Sequence, residues 1–270
     1  MKLHEITLII FVFVWVLLLI AFPLWGIINA AFSSGFPALI NHMISPQTIH
    51  ALFLTIIITF FAVVINSVFG IILALVFARQ HFKFKALMEE IINLPLAVSP
   101  VVAGFMFILL LGPNGWLGNF FCNRGIQIIF ALPGMIIVTI FTTLPFVAKE
   151  IAPVLRSLGT EQEDAATSLG ASSWQTFFHV TLPSIRWGLL YGIMLTIARS
   201  LGEFGAVLVV SGSIIGITQT ATLHIHQEFS DFHYQSAFAA SLILAILSVV
   251  LLMTIDGIKK FSDAKQFKRS

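Results

Sequence analysis

The 73 residues from Ile6 to Ala78 contain no Asp, Glu, Lys or Arg. Few folds tolerate a charge-free run of that length, because an element at a water interface carries polar residues on its wet face. A bilayer core instead asks for about 20 mainly apolar residues per helical crossing. The run therefore holds two crossings and the loop between them. The rest of the chain agrees: it is 58% hydrophobic and only 10% charged over 270 residues, against about 25% charged in soluble domains. Its mean hydropathy is +1.01. The expected fold class is an all-α membrane protein, with lipid as its solvent.

Six spans are expected, at 6–31, 50–78, 88–111, 129–155, 185–212 and 236–258. Backbone facing hydrocarbon must satisfy its own hydrogen bonds, and uncharged runs this long do so as helices. The first span reads as a retained anchor, since its apolar run exceeds the roughly 7–15 residues of a signal peptide. Basic residues set the orientation. Lys2, Arg79, Lys83, Lys85, Lys149, Arg156, Arg186, Lys259, Lys260, Lys265, Lys268 and Arg269 all fall on one side of a six-span chain. The opposite loops hold only Arg124, and Arg199 lies within a span. Both termini of this multi-pass chain are expected in the cytoplasm. The single Cys122 excludes an internal disulfide framework and a thiolate metal cluster.

Residues 158–183 form the long cytoplasmic connection within this single domain. Thr160-Glu161-Gln162-Glu163 and Ser172-Ser173-Trp174-Gln175 both have capping-box form. Gly170 suits a helix stop, because glycine takes the left-handed conformation at little cost. A second short helix is expected to run to about Thr181 and to end at Leu182-Pro183. Caps and a glycine alone favour a plain surface hairpin that merely joins two spans.

The spacing carries more. Asp164-Ala165-Ala166, three residues, Gly170, nine residues and Val180-Thr181-Leu182-Pro183 resemble the EAA loop of ABC importer permeases, with Asp for Glu and Val for Ile. Asn93-Leu94-Pro95-Leu96-Ala97-Val98-Ser99-Pro100 and Arg199-Ser200-Leu201-Gly202-Glu203-Phe204-Gly205-Ala206 extend the likeness. They resemble the W-type permeases of bacterial sulfate/thiosulfate transporters. The resemblance implies a six-helix permease fold in the bacterial inner membrane and import of an anion. It implies a sister T-type permease, two cytoplasmic ATPase subunits and an external anion-binding protein, and no nucleic acid. Glu163, Asp164, Ala165, Ala166, Gly170, Leu182 and Pro183 would be the ATPase-coupling residues. Molybdate and tungstate permeases share the Arg-x-x-Gly-Glu-Phe-Gly-Ala stretch and are the alternative. The chain has no Gly-x4-Gly-Lys-Ser/Thr phosphate loop, so ATP and magnesium belong to the partner. No enzymatic activity, catalytic residue, metal or cofactor of its own is expected.

Arg199 and Glu203 stand out without any family. Each costs about 2.5–3.5 kcal/mol at a span centre on insertion scales. Four residues apart, they share a helix face and can pair. One reading is an internal pair that positions helices; the other is a border of the anion route. Pro95 and Pro100 remove two backbone donors, which suits a kink or a discontinuous helix and lets Ser99 face the route. Gly205 and Ser211 belong to the same pathway hypothesis. Gly202, Gly212 and Gly216 suit close packing or a helix break. His224, His226 and His233 cluster in an external loop without the spacing of a metal motif.

Two other classes compete. An ion-coupled secondary transporter needs repeats and midplane acids, and Glu203 is the one midplane acid. An intramembrane hydrolase built on Ser211 needs a base within hydrogen-bond reach, and the histidines lie beyond the span end.

Overall fold

The computed structural model describes residues 3–267, and within them every regular element is a helix. Lys2, Lys268 and Arg269, counted above among the one-sided charges, lie outside the described residues. Helix α1 is Leu3–Phe32, α2 is Phe36–Met43 and α3 is Pro46–Arg79. Next come α4 (Lys85–Ala97), α5 (Pro100–Leu111), α6 (Gly118–Cys122) and α7 (Leu132–Leu158). The connection holds α8 (Glu161–Ser168), α9 (Ser173–Thr176) and a wider, π-type turn over Phe177–Thr181. Finally come α10 (Leu182–Leu201), α11 (Gly205–Ser211), α12 (Ala221–Ser230) and α13 (Tyr234–Phe267).

Five helical stretches are each long and apolar enough to cross a membrane: 8–32, 46–79, 132–158, 173–201 and 234–254. Helices α4 and α5 pass the same test only as a pair, which brings the count to six if the pair is one span. The third expected span is not one helix, because the chain bends by 109° between them. Pro100 makes the break. It opens α5, and the two residues before it, Val98 and Ser99, are extended (ψ 135° at both), as the residue before a proline prefers. Pro95 sits inside α4 instead.

The fifth expected span, 185–212, is also not one helix. It ends at Leu201, turns through Gly202-Glu203-Phe204 and resumes as the short α11. At its other end the helix reaches back further than expected. Leu182-Pro183 does not stop α9; the π-type turn carries the chain straight into α10. Proline has no N–H for the carbonyl four residues back, and the wider turn at 177–181 accommodates that loss.

Small residues set the spacing of the core. A Cβ at Gly70 of α3 would lie 2.6 Å from Val147 Cβ of α7, and one at Gly192 of α10 would lie 2.6 Å from Val147 Cα. Val147 therefore fills the notch between two glycines, and three helices meet nearly backbone to backbone. Lipid removes most of the hydrophobic drive for helix association, so such close packing and interhelical hydrogen bonds do the holding. Asn66 of α3 supplies one: its amide donates to Thr143 Oγ1 (2.7 Å) and the Ile140 carbonyl (3.1 Å) of α7. Outside this core, α1 turns Phe11, Trp15, Phe22 and Trp25 outward, as a helix in contact with lipid or another subunit does.

The histidines separate. His224 is buried in α12, its Nε2 3.0 Å from the Thr48 hydroxyl at the start of α3. His226 sits edge-on to Phe204, and His233 Nδ1 lies 3.5 Å from Glu228. Burial pulls the His224 pKa below its ordinary 6.5, against a smaller upward pull from Glu228. The neutral ring is therefore the folded form. Below pH 6.5 the unfolded chain takes up a proton that the folded chain refuses, so stability falls as the pH drops. Thermal midpoints in detergent from pH 8 to pH 5 should show this loss, and His224→Gln should flatten it. An unchanged slope in the variant would place the titration elsewhere.

Candidate functional site

The connection between α7 and α10 is a hairpin held away from the helix core. No residue of α8 is buried. Its stop is a Schellman motif: the Gly170 N–H bonds the Thr167 carbonyl (2.9 Å) and the Ala171 N–H bonds the Ala166 carbonyl (3.1 Å). Gly170 has φ +88°, which the motif requires and glycine supplies. The capping box at 172–175 forms, with Ser172 Oγ accepting the Gln175 N–H and Gln175 Oε1 accepting the Ser172 N–H.

The expected box at 160–163 does not form. Thr160 has near-helical backbone and its side chain makes no cap bond. Glu163 is drawn elsewhere by a stronger partner. Its carboxylate pairs with Arg79 at the end of α3: Nη2 donates to Oε1 (3.2 Å), and Nε lies 3.1 Å from Oε2. The Thr181 hydroxyl also donates to Oε1 (2.8 Å). Arg79 Nη1 donates to the Leu155 carbonyl (3.0 Å) near the end of α7. The carboxylate gains a charged donor in Arg79, where the box offers it only a neutral backbone N–H. One guanidinium thus ties α3, α7, α8 and the π-type turn together.

Asp164, Ala165, Gly170 and Pro183 are exposed, Ala166 and Leu182 are half-buried, and Glu163 faces the bundle. The surface also presents three large apolar side chains that the motif spacing did not single out. Leu169 is 90% exposed and Trp174 73%, and Trp174 stacks on the exposed Phe178 with ring centroids 5.8 Å apart. The only sequence signal for them was large apolar residues in an otherwise polar connection.

The second group lies where the two broken spans meet. A Cβ on Gly205 would lie 3.2 Å from Pro100 Cβ, and one on Gly104 would lie 2.9 Å from the Ala206 carbonyl. The start of α11 therefore packs on the start of α5, bringing Gly205 beside the Ser99-Pro100 break. Ser99 is exposed and its side chain makes no cap bond. Glu203 is only 3% exposed. It sits past the end of α10 rather than on its face, yet still pairs with Arg199, Nη1 to Oε2 at 2.9 Å. It also accepts from the Thr142 hydroxyl of α7 (3.1 Å) and the Ala206 N–H (3.2 Å). Its own carbonyl accepts from the Thr222 hydroxyl of α12 (2.7 Å). A buried carboxylate is costly unless paired and hydrogen-bonded, and Glu203 has both kinds of partner. Arg199 is about one third exposed, with donors beyond the one that Glu203 holds. Ser211 is fully buried and works as a cap: its hydroxyl accepts the Ser213 N–H (3.0 Å) and its carbonyl accepts Thr218 Oγ1 (2.7 Å).

Known proteins share this arrangement. The profile of the family described as "Binding-protein-dependent transport system inner membrane component" matches residues 66–268. The sulfate transport system permease protein CysW of Synechocystis is 50% identical over 239 residues, 88% of this chain and 87% of that one. The Escherichia coli K12 CysW is 45% identical over 85% of this chain and 79% of its own length. The CysT protein of the same strain is 34% identical over 80% and 78%. Among solved structures, a chain of a bacterial ABC transporter involved in alginate import superposes with a TM-score of 0.80 over 95% of both chains. At 19% identity that likeness concerns the fold. Broken apolar spans, an exposed Asp-Ala-Ala hairpin and relatives of this closeness agree, and the chain belongs to the family of binding-protein-dependent transport system inner membrane components.

Proposed function

We propose that this chain is the pore-forming permease subunit of an ATP-driven importer of sulfate or thiosulfate. The hairpin carries the reading: an exposed, preformed helix-glycine-helix unit, tethered to two spans by Arg79 and offering apolar side chains to a partner. Relatives at 45–50% identity are sulfate transport permeases, which supports the anion. The partners are a sister permease of the T type, cytoplasmic ATPase subunits and an extracytoplasmic binding protein. ATP-driven closure of the ATPases moves the hairpin, and the Arg79–Glu163 tie passes that movement to α3 and α7. The permease needs no tight site of its own, because conduction requires weak binding.

Gly170→Asp places a β-carbon at φ +88° and a charge on the docking face. It should insert normally in the membrane and lose copurification of the ATPase. Full ATPase recovery with that variant would remove the hairpin from the docking role.

Arg199 and Glu203 border the anion route, and Ser99, Gly205 and the buried Ser211 shape the surrounding breaks. An exposed guanidinium edge offsets part of a dianion's desolvation. Arg199→Gln and Glu203→Gln, each at normal membrane levels, should both lower radiolabelled sulfate uptake by at least about tenfold, the loss that follows from one charge-assisted bond. Normal uptake by both variants would reduce the pair to a packing element.

The orientation puts both termini and the hairpin in the cytoplasm. Cys122, the one cysteine and an exposed one, then faces outward. A membrane-impermeant maleimide should label it in intact spheroplasts. Labelling only after permeabilisation would invert the topology.

A further inference from the structure

A cavity of about 190 Å³, open to one side, lies between α4 and α7 at the hairpin end of the molecule, with Phe77 of α3 also lining it. Helical periodicity builds both walls. Lys149, Ala152, Pro153 and Arg156 form one stripe of α7, and Glu89, Ile92 and Asn93 form one stripe of α4, as positions three, four and seven residues apart must. The polar contents are unequal in sign. Arg156 Nη2 and Glu89 Oε1 are 2.6 Å apart, so those two charges answer each other. Lys149 has no counter-ion among the described residues, and neither its ammonium nor the Asn93 amide has a described hydrogen-bond partner. The cavity therefore carries one surplus positive charge, and its free donors come from two helices. Arg156 adds guanidinium N–H groups beyond the one facing Glu89.

We propose that this cavity is a low-affinity site for a tetrahedral oxyanion. Such an anion accepts hydrogen bonds on every side, which suits donors that Lys149, Asn93 and Arg156 bring from two helices. An ammonium binds such an anion as a mobile point charge, without fixing its plane. Arg156 already presents an edge of its fork to Glu89. The site is wide for a single water, which occupies about 30 Å³ in the liquid. Free inorganic sulfate and the phosphate of an anionic lipid headgroup both have this chemistry. The site is separate from the Arg199–Glu203 pair, since α4 and α7 line it and neither of those residues does.

The test uses the full chain assembled with its partner subunits, without binding protein or nucleotide, in lipid nanodiscs. In neutral phosphatidylcholine discs, inorganic sulfate should raise the thermal midpoint saturably over chloride at equal ionic strength. Lys149→Gln should raise the half-saturating sulfate by about tenfold, the loss from one charge-assisted hydrogen bond, and Lys149→Arg should restore much of it. Lys149 is exposed, and unchanged gel-filtration elution would confirm that the variants fold. In discs with phosphatidylglycerol, retention of that lipid through native mass spectrometry, lost in Lys149→Gln, identifies the headgroup as the oxyanion source and also supports the site. No sulfate shift and no Lys149-dependent lipid retention overturn it. So does a shift abolished by Arg199→Gln and untouched by Lys149→Gln, which places the anion in the transport route. Because the readout needs no transport, a failure of sulfate import leaves it interpretable.

Discussion

Hydrocarbon offers no hydrogen bonds, and that deficit governs the breaks within the apolar segments of this chain. A helix meets the demand alone; a break in a span must meet it with neighbours. The two breaks, at Val98-Ser99 and at Gly202-Glu203-Phe204, are placed together for this reason. Gly205 and Gly104 let α11 and α5 close on each other, and the polar groups freed at the second break gather around Glu203. Its carboxylate takes the Ala206 N–H, the Thr142 hydroxyl and Arg199, while its carbonyl takes Thr222. One acid thus joins α7, α10, α11 and α12 at the point where the backbone would otherwise be left unpaired.

The opposite problem arises at the hairpin, which is fully wet and has little apolar contact with the bundle. A surface ion pair between two exposed side chains contributes little. Arg79 and Glu163 differ, since both are mostly buried and share further bonds with Thr181 and Leu155. The tie joins an exposed hairpin to long rigid helices. That tie is a short link between α8 and the ends of α3 and α7, while Leu169, Trp174 and Phe178 stand exposed on the hairpin.

Much of this was legible along the chain. Apolar run length located five membrane-length helices and the bent α4–α5 pair, and the Asp-Ala-Ala to Gly spacing located the hairpin and its glycine stop. Three readings failed, two to a partner distant in sequence and one to an adjacent turn. Thr160 and Glu163 have the form of a capping box, but Arg79, 84 residues earlier, offers Glu163 a charge. Leu182-Pro183 has the form of a helix end, but a π-type turn absorbs the missing N–H and the helix continues. Residues 185–212 read as one apolar helix, yet the chain turns at Gly202-Glu203-Phe204 because Thr142, Thr222 and Ala206 stand ready to bond Glu203.

Sequence by itself determined the solvent, the long apolar helices and the position of the exposed hairpin. Those follow from composition, length and spacing, which are properties of single segments. Tertiary structure alone decided that the two breaks face each other, that Glu163 points inward to Arg79, and that Lys149 and Asn93 share a cavity. Each of these depends on which helices become neighbours. That choice rests on close fits such as Val147 between Gly70 and Gly192, where ångström-scale contact between distant residues selects the packing and no local pattern records it.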